Sequence, residues 1–128
     1  MIFADSSYFI AVADKKDQWH EKAMVLSKKA KEELLITDFV LVETVTVIGA
    51  RGGEKAGKTI YNYLIDNCQI TFTSKDMLEE SMKVFLKFDG TLSVADAVTV
   101  AVMQEIGVKR LLSFDSDFDR VGGIERLA

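Results

Sequence analysis

The stretch Ser93-Val94-Ala95-Asp96-Ala97-Val98-Thr99-Val100-Ala101-Val102-Met103 decides the fold class, because it has the length of a helix and almost no polar face. A helix that is apolar on every side must be covered on every side, so other layers have to pack against it. Asp96 is the one charged residue in the stretch. A carboxylate in such a helix costs free energy unless a cation or hydrogen-bond donors meet it. Asp96 is therefore the first candidate for a functional residue.

Short apolar segments alternate with amphipathic segments on both sides of this stretch. The predicted strands are residues 1–4, 34–36, 68–72, 109–114 and 124–127, and the predicted helices are residues 8–13, 19–32, 54–66, 74–87 and 93–107. Strands that alternate with helices predict a parallel sheet covered on both faces. We therefore predict a single α/β domain over residues 1–128, with three α/β/α layers around a short, mostly parallel central sheet of four to five strands.

Residues 39–48 fit either of two elements. Their valine and threonine content favours a strand, whereas their length, the cap residues before them and the glycine after them allow a buried helix. The choice matters because residues 52–59, Gly-Gly-Glu-Lys-Ala-Gly-Lys-Thr, fit the phosphate-binding loop pattern G-x-x-x-x-G-K-[ST]. If a strand precedes them, this context indicates a P-loop-type nucleotide-binding protein. That function is kept as an alternative, although it leaves the acids described next unexplained.

Three further acids share the apolar surroundings of Asp96. Asp5 ends the first predicted strand, Glu43 interrupts residues 39–48, and Asp115 follows the fourth predicted strand. Each acid alone has an ordinary structural explanation as a helix cap, an ion-pair partner or a turn residue. Ligand sites of open α/β sheets lie beyond the carboxyl ends of the strands. The joint placement of the four acids therefore predicts one shared site at that edge.

Converging carboxylates repel one another and raise one another's pKa, so a bound cation is needed to keep them ionised. Oxygen ligands select Mg²⁺ or Mn²⁺, and such ions promote the cleavage of phosphodiesters by water. The single cysteine and the single histidine provide no competing metal site. The acids therefore predict a site for Mg²⁺ or Mn²⁺.

The amino-acid composition and net charge exclude few classes of protein. The net charge of −4 lacks the basic character usual for nucleic-acid binders, although a local basic stripe remains compatible with it. The chain begins with a strand-like segment in place of a secretory signal, and acids interrupt every long apolar run. We expect a soluble, cytoplasmic protein with no membrane association.

In this order, the acidic motifs resemble those of the PIN domain, in particular the small toxin-type ribonucleases of the VapC group. The resemblance spans the whole chain and rests on four motifs: Asp5-Ser6-Ser7 after a strand, Glu43 in an apolar helix, Ser93-x-x-Asp96-Ala97, and Ser113-Phe114-Asp115-Ser116-Asp117-Phe118. It implies that residues 39–48 are helical. It also implies an Mg²⁺- or Mn²⁺-dependent endoribonuclease that cleaves RNA by metal-activated water.

The resemblance further implies the roles of individual residues. Asp5, Glu43 and Asp96 would be catalytic metal ligands, and Asp115 or Asp117 would supply the fourth acid. The hydroxyl groups of Ser6, Ser93 and Ser113 would orient the site. A toxin of this type would cleave RNA, bind a small antitoxin that buries the acidic cleft, and form a homodimer. A non-catalytic PIN-like scaffold is a further alternative, and the retained acids argue against it.

Basic residues that follow residues 39–48 are candidate contacts for RNA phosphates. These are Arg51, Lys55 and Lys58, with Lys15, Lys16 and Arg120 as weaker candidates. A solvated basic face explains them at least as well. The aromatic residues Trp19, Tyr61 and Tyr63 are interpreted as core or dimer packing, and His20 is interpreted as structural.

Overall fold

A five-stranded parallel sheet runs through the middle of the computed structural model, which describes all residues 1–128. The strands are β1 Ile2–Ala4, β2 Leu34–Thr37, β3 Cys68–Thr71, β4 Arg110–Leu112 and β5 Glu125–Leu127. Their order is β3-β2-β1-β4-β5, and each neighbouring pair is parallel. The predicted short parallel sheet is confirmed, with five strands and no antiparallel pair.

Six helices cover the two faces of this sheet. They are α1 Ser6–Ala13, α2 His20–Lys29, α3 Asp38–Gly52, α4 Glu54–Asn67, α5 Lys75–Lys87 and α6 Val94–Ile106. Helix α1 contacts α2 and α3, α3 contacts α4, and α5 contacts α6. Crossovers between parallel strands are right-handed as a rule, and with this strand order the rule places α1 to α4 on one face and the returning α5 and α6 on the other. The three-layer α/β/α prediction is confirmed. None of the helices combines the length and the hydropathy needed to cross a bilayer.

Helix α6 is buried around its whole circumference from Ala97 to Met103, as its sequence predicts. Its start is capped by Ser93, whose hydroxyl oxygen accepts from the Asp96 amide at 3.1 Å. Asp96 lies in the first turn of the helix and is only half-buried. The fully apolar environment therefore begins one residue after the carboxylate, which faces the edge of the sheet.

Residues 39–48 belong to α3, so the strand favoured by propensity is wrong and the helix implied by the family resemblance is confirmed. Burial decides the outcome, because Val40, Leu41, Thr44 and Ile48 recur at helical spacing and are all buried. The hydroxyl group of Thr44 donates to the Val40 carbonyl at 2.7 Å, which satisfies that polar group inside the helix.

Residues 52–59 join two helices and form no phosphate-binding loop. Helix α3 ends at Gly52, Gly53 has a φ of 95°, and α4 begins at Glu54. The required strand before the loop is absent, so the nucleotide-binding alternative is wrong. Gly57 instead lets the two helices approach, because a Cβ atom there would lie 3.3 Å from the Gly49 Cα.

This close approach predicts opposite effects of substitutions at two helical glycines. Gly57→Leu should destabilise the fold by about 1 to 3 kcal/mol, because the added side chain meets the backbone of α3. Gly49→Ala should stabilise it by up to about 1 kcal/mol, because its Cβ meets nothing within 4 Å and alanine favours a helix. Urea denaturation of both variants measures these changes. Equal effects at the two positions would contradict this description of the α3–α4 contact.

Candidate active site

The order in which strands are added to the sheet reverses between β1 and β4. From β1 the chain builds β2 and β3 on one side, then returns to place β4 on the other side of β1. A crevice forms at the carboxyl ends of the strands at such a point, and ligands of open α/β sheets bind there. Asp5 directly follows β1 and Ser113 directly follows β4. The Asp5 amide donates to the Leu112 carbonyl at 2.9 Å, which joins the first and last acidic motifs.

The Asp5 carboxylate is buried and held by two serine hydroxyl groups. Its Oδ2 atom accepts from the Ser7 and Ser113 hydroxyl groups, each at 2.9 Å. The side chain makes no capping hydrogen bond to α1, so the simple helix-cap explanation of Asp5 is wrong. Ser113 contacts a carboxylate as the sequence predicted, whereas Ser7 was missed. The sequence signal for Ser7 was its place in the Asp5-Ser6-Ser7 motif, two residues after Asp5.

Glu43 and Asp96 reach the same edge from α3 and α6. The Ser6 hydroxyl group donates to Glu43 Oε1, which links the start of α1 to the exposed Glu43 side chain. Burial, followed by the charges of Asp5 and Asp115, raises the pKa of Asp96 to about 7. Burial also raises the pKa of Asp5, against the lowering effect of its serine donors. These acids are therefore close enough to interact electrostatically.

Asp115 holds the loop after β4 by two hydrogen bonds. Its amide donates to the Ser113 hydroxyl oxygen at 3.0 Å, and its Oδ1 atom accepts from the Asp117 amide at 2.9 Å. This second bond caps the 3₁₀ helix Ser116–Arg120. Asp115, and not Asp117, is among the acids that raise the pKa of Asp96. The electrostatic coupling therefore favours Asp115 as the fourth acid.

Arg126 in β5 adds a positive charge that sequence reasoning missed. It forms a two-pronged ion pair with Asp119 at 2.8 and 3.0 Å, and its Nη1 atom donates to the Ser113 carbonyl at 3.2 Å. An isolated arginine in an edge strand gives no sequence signal of such a contact. The pairing also joins Asp119 of the 3₁₀ helix to β5.

The profile of the PIN domain family matches residues 2–124 of the chain. The chain belongs to the PIN domain family. It is 27% identical over 127 residues to the 23S rRNA-specific endonuclease VapC20 of Mycobacterium tuberculosis, covering 98% of this chain and 97% of that protein.

Solved structures agree with this assignment of the PIN domain. The crystal structure of M. tuberculosis VapC20, described as a sarcin–ricin loop cleaving toxin, superposes with a TM-score of 0.88 at 25% identity and 95% coverage of both chains. A toxin–antitoxin complex from Klebsiella pneumoniae shares the fold, with a TM-score of 0.74, 16% identity and coverage of 98% of this chain and 96% of that one. The predicted resemblance to VapC-type PIN domains is confirmed.

The basic residues predicted to touch RNA phosphates lie outside the acidic cluster of this PIN domain. Arg51 bridges Asp14 and Asp17 at 3.0 and 3.1 Å, so its guanidinium group clamps the α1–α2 connection to the end of α3. Lys58 and Lys55 lie on the exposed surface of α4, and the Lys58 ammonium group sits 4.7 Å from the centroid of the Tyr61 ring. None of the three contacts the four acids.

The donors of the PIN domain site fit a hydrated divalent cation. No three histidine, cysteine, aspartate or glutamate side chains lie close enough together to hold a metal ion between them. Mg²⁺ usually binds one or two carboxylates and keeps several waters, so an open set of oxygen ligands suits it. Burial first, and the neighbouring acids second, raise the pKa of Asp96, and a bound cation would oppose both effects by favouring the ionised carboxylate. Of the four acids, Glu43 borders an open cavity of about 300 Å³, which is also lined by Asp38, Phe39, Val42 and Ala95.

Proposed function

We propose that this PIN domain, residues 1–128, is an Mg²⁺- or Mn²⁺-dependent endoribonuclease and the toxin of a toxin–antitoxin pair. The observation that carries the proposal is the placement of Asp5, Glu43, Asp96 and Asp115 around the point where the strand order reverses, where burial and the charges of the other three acids raise the pKa of Asp96. The end-to-end similarity to an endonuclease specific for 23S rRNA supports the choice of RNA as substrate.

The same four acids are the proposed catalytic metal ligands, with Asp117 as an additional ligand. A bound divalent cation would neutralise charge on the carboxylates and the phosphate and would make water a stronger nucleophile. The protein's own contribution is orientation. The Ser7 and Ser113 hydroxyl groups fix the Asp5 carboxylate, and Ser6 fixes Glu43. Ser93 fixes the backbone that carries Asp96.

The attacking group is water, because no side chain at the site is prepared to act as a nucleophile. A nucleophilic serine needs access to the phosphorus and a general base. Ser6 and Ser113 are buried, and their hydroxyl groups already donate to carboxylates. The only histidine, His20, is bonded through Nδ1 to the Ala11 carbonyl at 2.6 Å.

A hairpin loop of 23S rRNA is the proposed substrate. The supporting observation is that the relative aligned over nearly the whole chain is named for 23S rRNA, and its crystal structure is described as that of a sarcin–ricin loop cleaving toxin. Proteins that select RNA sequences usually read unpaired bases in loops, which fits a substrate of this kind.

The proposal also includes a small antitoxin partner, a homodimer and a cytoplasmic location. A fold shared with a toxin–antitoxin complex supports the antitoxin. A short open reading frame directly upstream of the coding sequence would support it further. Light scattering of the purified protein, alone and after co-expression with the product of that frame, tests both assemblies.

Incubation of the purified protein with a sarcin–ricin hairpin tests the proposed function. We expect cleavage within the loop in Mg²⁺ or Mn²⁺ and none in excess EDTA, because the acids need a cation to act on a phosphodiester. A hairpin with the same stem and a scrambled loop is the matched control for substrate choice. Cleavage that persists in EDTA would exclude the metal-dependent mechanism, and intact RNA in both metals would favour the non-catalytic scaffold.

A further inference from the structure

Trp19, the only tryptophan of the chain, stacks on an aromatic residue of the last acidic motif. The ring centroids of Trp19 and Phe114 are 5.3 Å apart, and the ring planes differ by 2°. Trp19 keeps 39% of its surface exposed although Phe114 covers one side of it. Trp19 therefore lies at the surface with part of its ring accessible to solvent, so the core alternative of the sequence interpretation is wrong and the dimer alternative stays a prediction.

Phe114 ties this surface to the acidic cluster. It lies between Ser113, which donates to Asp5, and Asp115. The Phe114 amide donates to the Ser7 hydroxyl oxygen at 3.0 Å, and that hydroxyl group donates to Asp5. Phe114 is therefore next to Asp115 in the sequence and is connected to the Asp5 carboxylate through two successive hydrogen bonds.

The loop that carries Trp19 is held in place by Arg51. The Trp19 amide donates to Asp17 Oδ1 at 2.9 Å, and Asp17 Oδ2 accepts from Arg51 at 3.1 Å. The next residue, His20, bonds to the Ala11 carbonyl. A ring fixed in this way loses little conformational freedom when a ligand stacks on it. Arg51 thus supports the loop that carries Trp19, and its contact with RNA phosphates stays a prediction.

We propose that Trp19 is a stacking platform for one unpaired nucleobase of the RNA, next to the phosphodiester that is cleaved. The inference rests on the proposed ribonuclease function. Single-stranded nucleic acid binds where aromatic faces accompany basic side chains. The Lys22 ammonium group lies 5.9 Å from the centroid of the Trp19 ring, and Lys15 and Lys16 are exposed in the same connection. These cations fit the phosphates that flank a stacked base.

Fluorescence tests the platform directly, because Trp19 is the only tryptophan. The Asp96→Asn variant, used to prevent cleavage, is titrated in Mg²⁺ with the sarcin–ricin hairpin and with a hairpin whose loop nucleotides are abasic. We expect the base-bearing hairpin to quench the fluorescence of Trp19 and the abasic hairpin to leave that fluorescence unchanged. Equal quenching by both hairpins, or binding of the base-bearing hairpin without quenching, would overturn the platform.

Kinetics separate stacking from a structural role. Trp19→Ala should raise KM for the hairpin about tenfold or more with kcat within about threefold, and Trp19→Phe should recover most of the loss. Met24→Ala, which truncates another exposed side chain in α2, should change neither constant. A fall in kcat at constant KM in Trp19→Ala would overturn the platform. Wild-type protein that quenches with RNA and fails to cleave it would overturn the ribonuclease function and leave the platform supported.

Discussion

Asp96→Asn should lower RNA cleavage by about 100- to 1,000-fold or more while the fold remains intact, because it removes a charge that acts only at the reacting centre. Asparagine keeps the shape of the side chain, and the backbone amide of residue 96 still donates to the Ser93 hydroxyl oxygen. Asp5→Asn should have a loss of the same order, since its carboxylate is held beside that of Asp96. The measurement is kcat/KM on the hairpin substrate at saturating Mg²⁺.

Asp66→Asn is the matched control for this prediction. Asp66 lies on the exposed surface of α4 and belongs to no salt bridge or acidic cluster, so the same chemical change there should leave kcat/KM within about twofold. Circular dichroism of all variants establishes that they fold. If folded Asp96→Asn protein cleaves RNA as fast as Asp66→Asn, Asp96 has no part in the reaction.

The metal-free protein should become less stable as the pH rises from about 4 to about 7. Asp96 has a pKa of about 7 in the folded protein and a value of 3.8 without the fold, so the folded state holds the proton more tightly. Stability from this group is therefore complete below the unfolded pKa and is lost as the pH rises through the folded one. Asp5 shifts in the same direction. Allowing for partial solvent screening, we expect a loss of about 2 kcal/mol.

Urea denaturation in EDTA at pH 5 and pH 8 measures most of this loss. Mg²⁺ should restore stability at pH 8, because it binds the ionised carboxylates of the folded state. In Asp96→Asn the dependence on pH should be smaller, and the metal-free protein at pH 8 should be more stable than wild type. A wild-type protein that gains stability between pH 5 and pH 8 in EDTA would show that the acids are not crowded in the fold.

The order of strands and helices followed from the sequence, because apolar segments of different lengths mark buried strands and amphipathic helices. The exception was residues 39–48, where propensity and burial favour different elements. Valine and threonine prefer strands only weakly, whereas four buried residues at helical spacing hold α3 against its neighbours. Only the tertiary contacts contain that information.

The four acids were predictable because a carboxylate beside apolar residues needs an explanation even before the fold is known. Ser7 was less predictable than Ser6 and Ser113, since its hydroxyl group joins Asp5 to the Phe114 amide, which lies 107 residues away in sequence. Arg51 and Trp19 show the same limit. The sequence shows that a basic or aromatic side chain is present. The fold determines which residue that side chain contacts, because it determines which loops lie together.

Mn²⁺ binding followed by electron paramagnetic resonance tests most directly whether the four acids form one metal site. Wild-type protein at pH 7.5 is compared with Asp5→Asn, Glu43→Gln, Asp96→Asn, Asp115→Asn and the control Asp66→Asn. We expect each of the first four substitutions to weaken Mn²⁺ binding about tenfold or more and the control to leave it unchanged. Mn²⁺ affinity that stays at the wild-type value in these four variants would contradict a shared metal site.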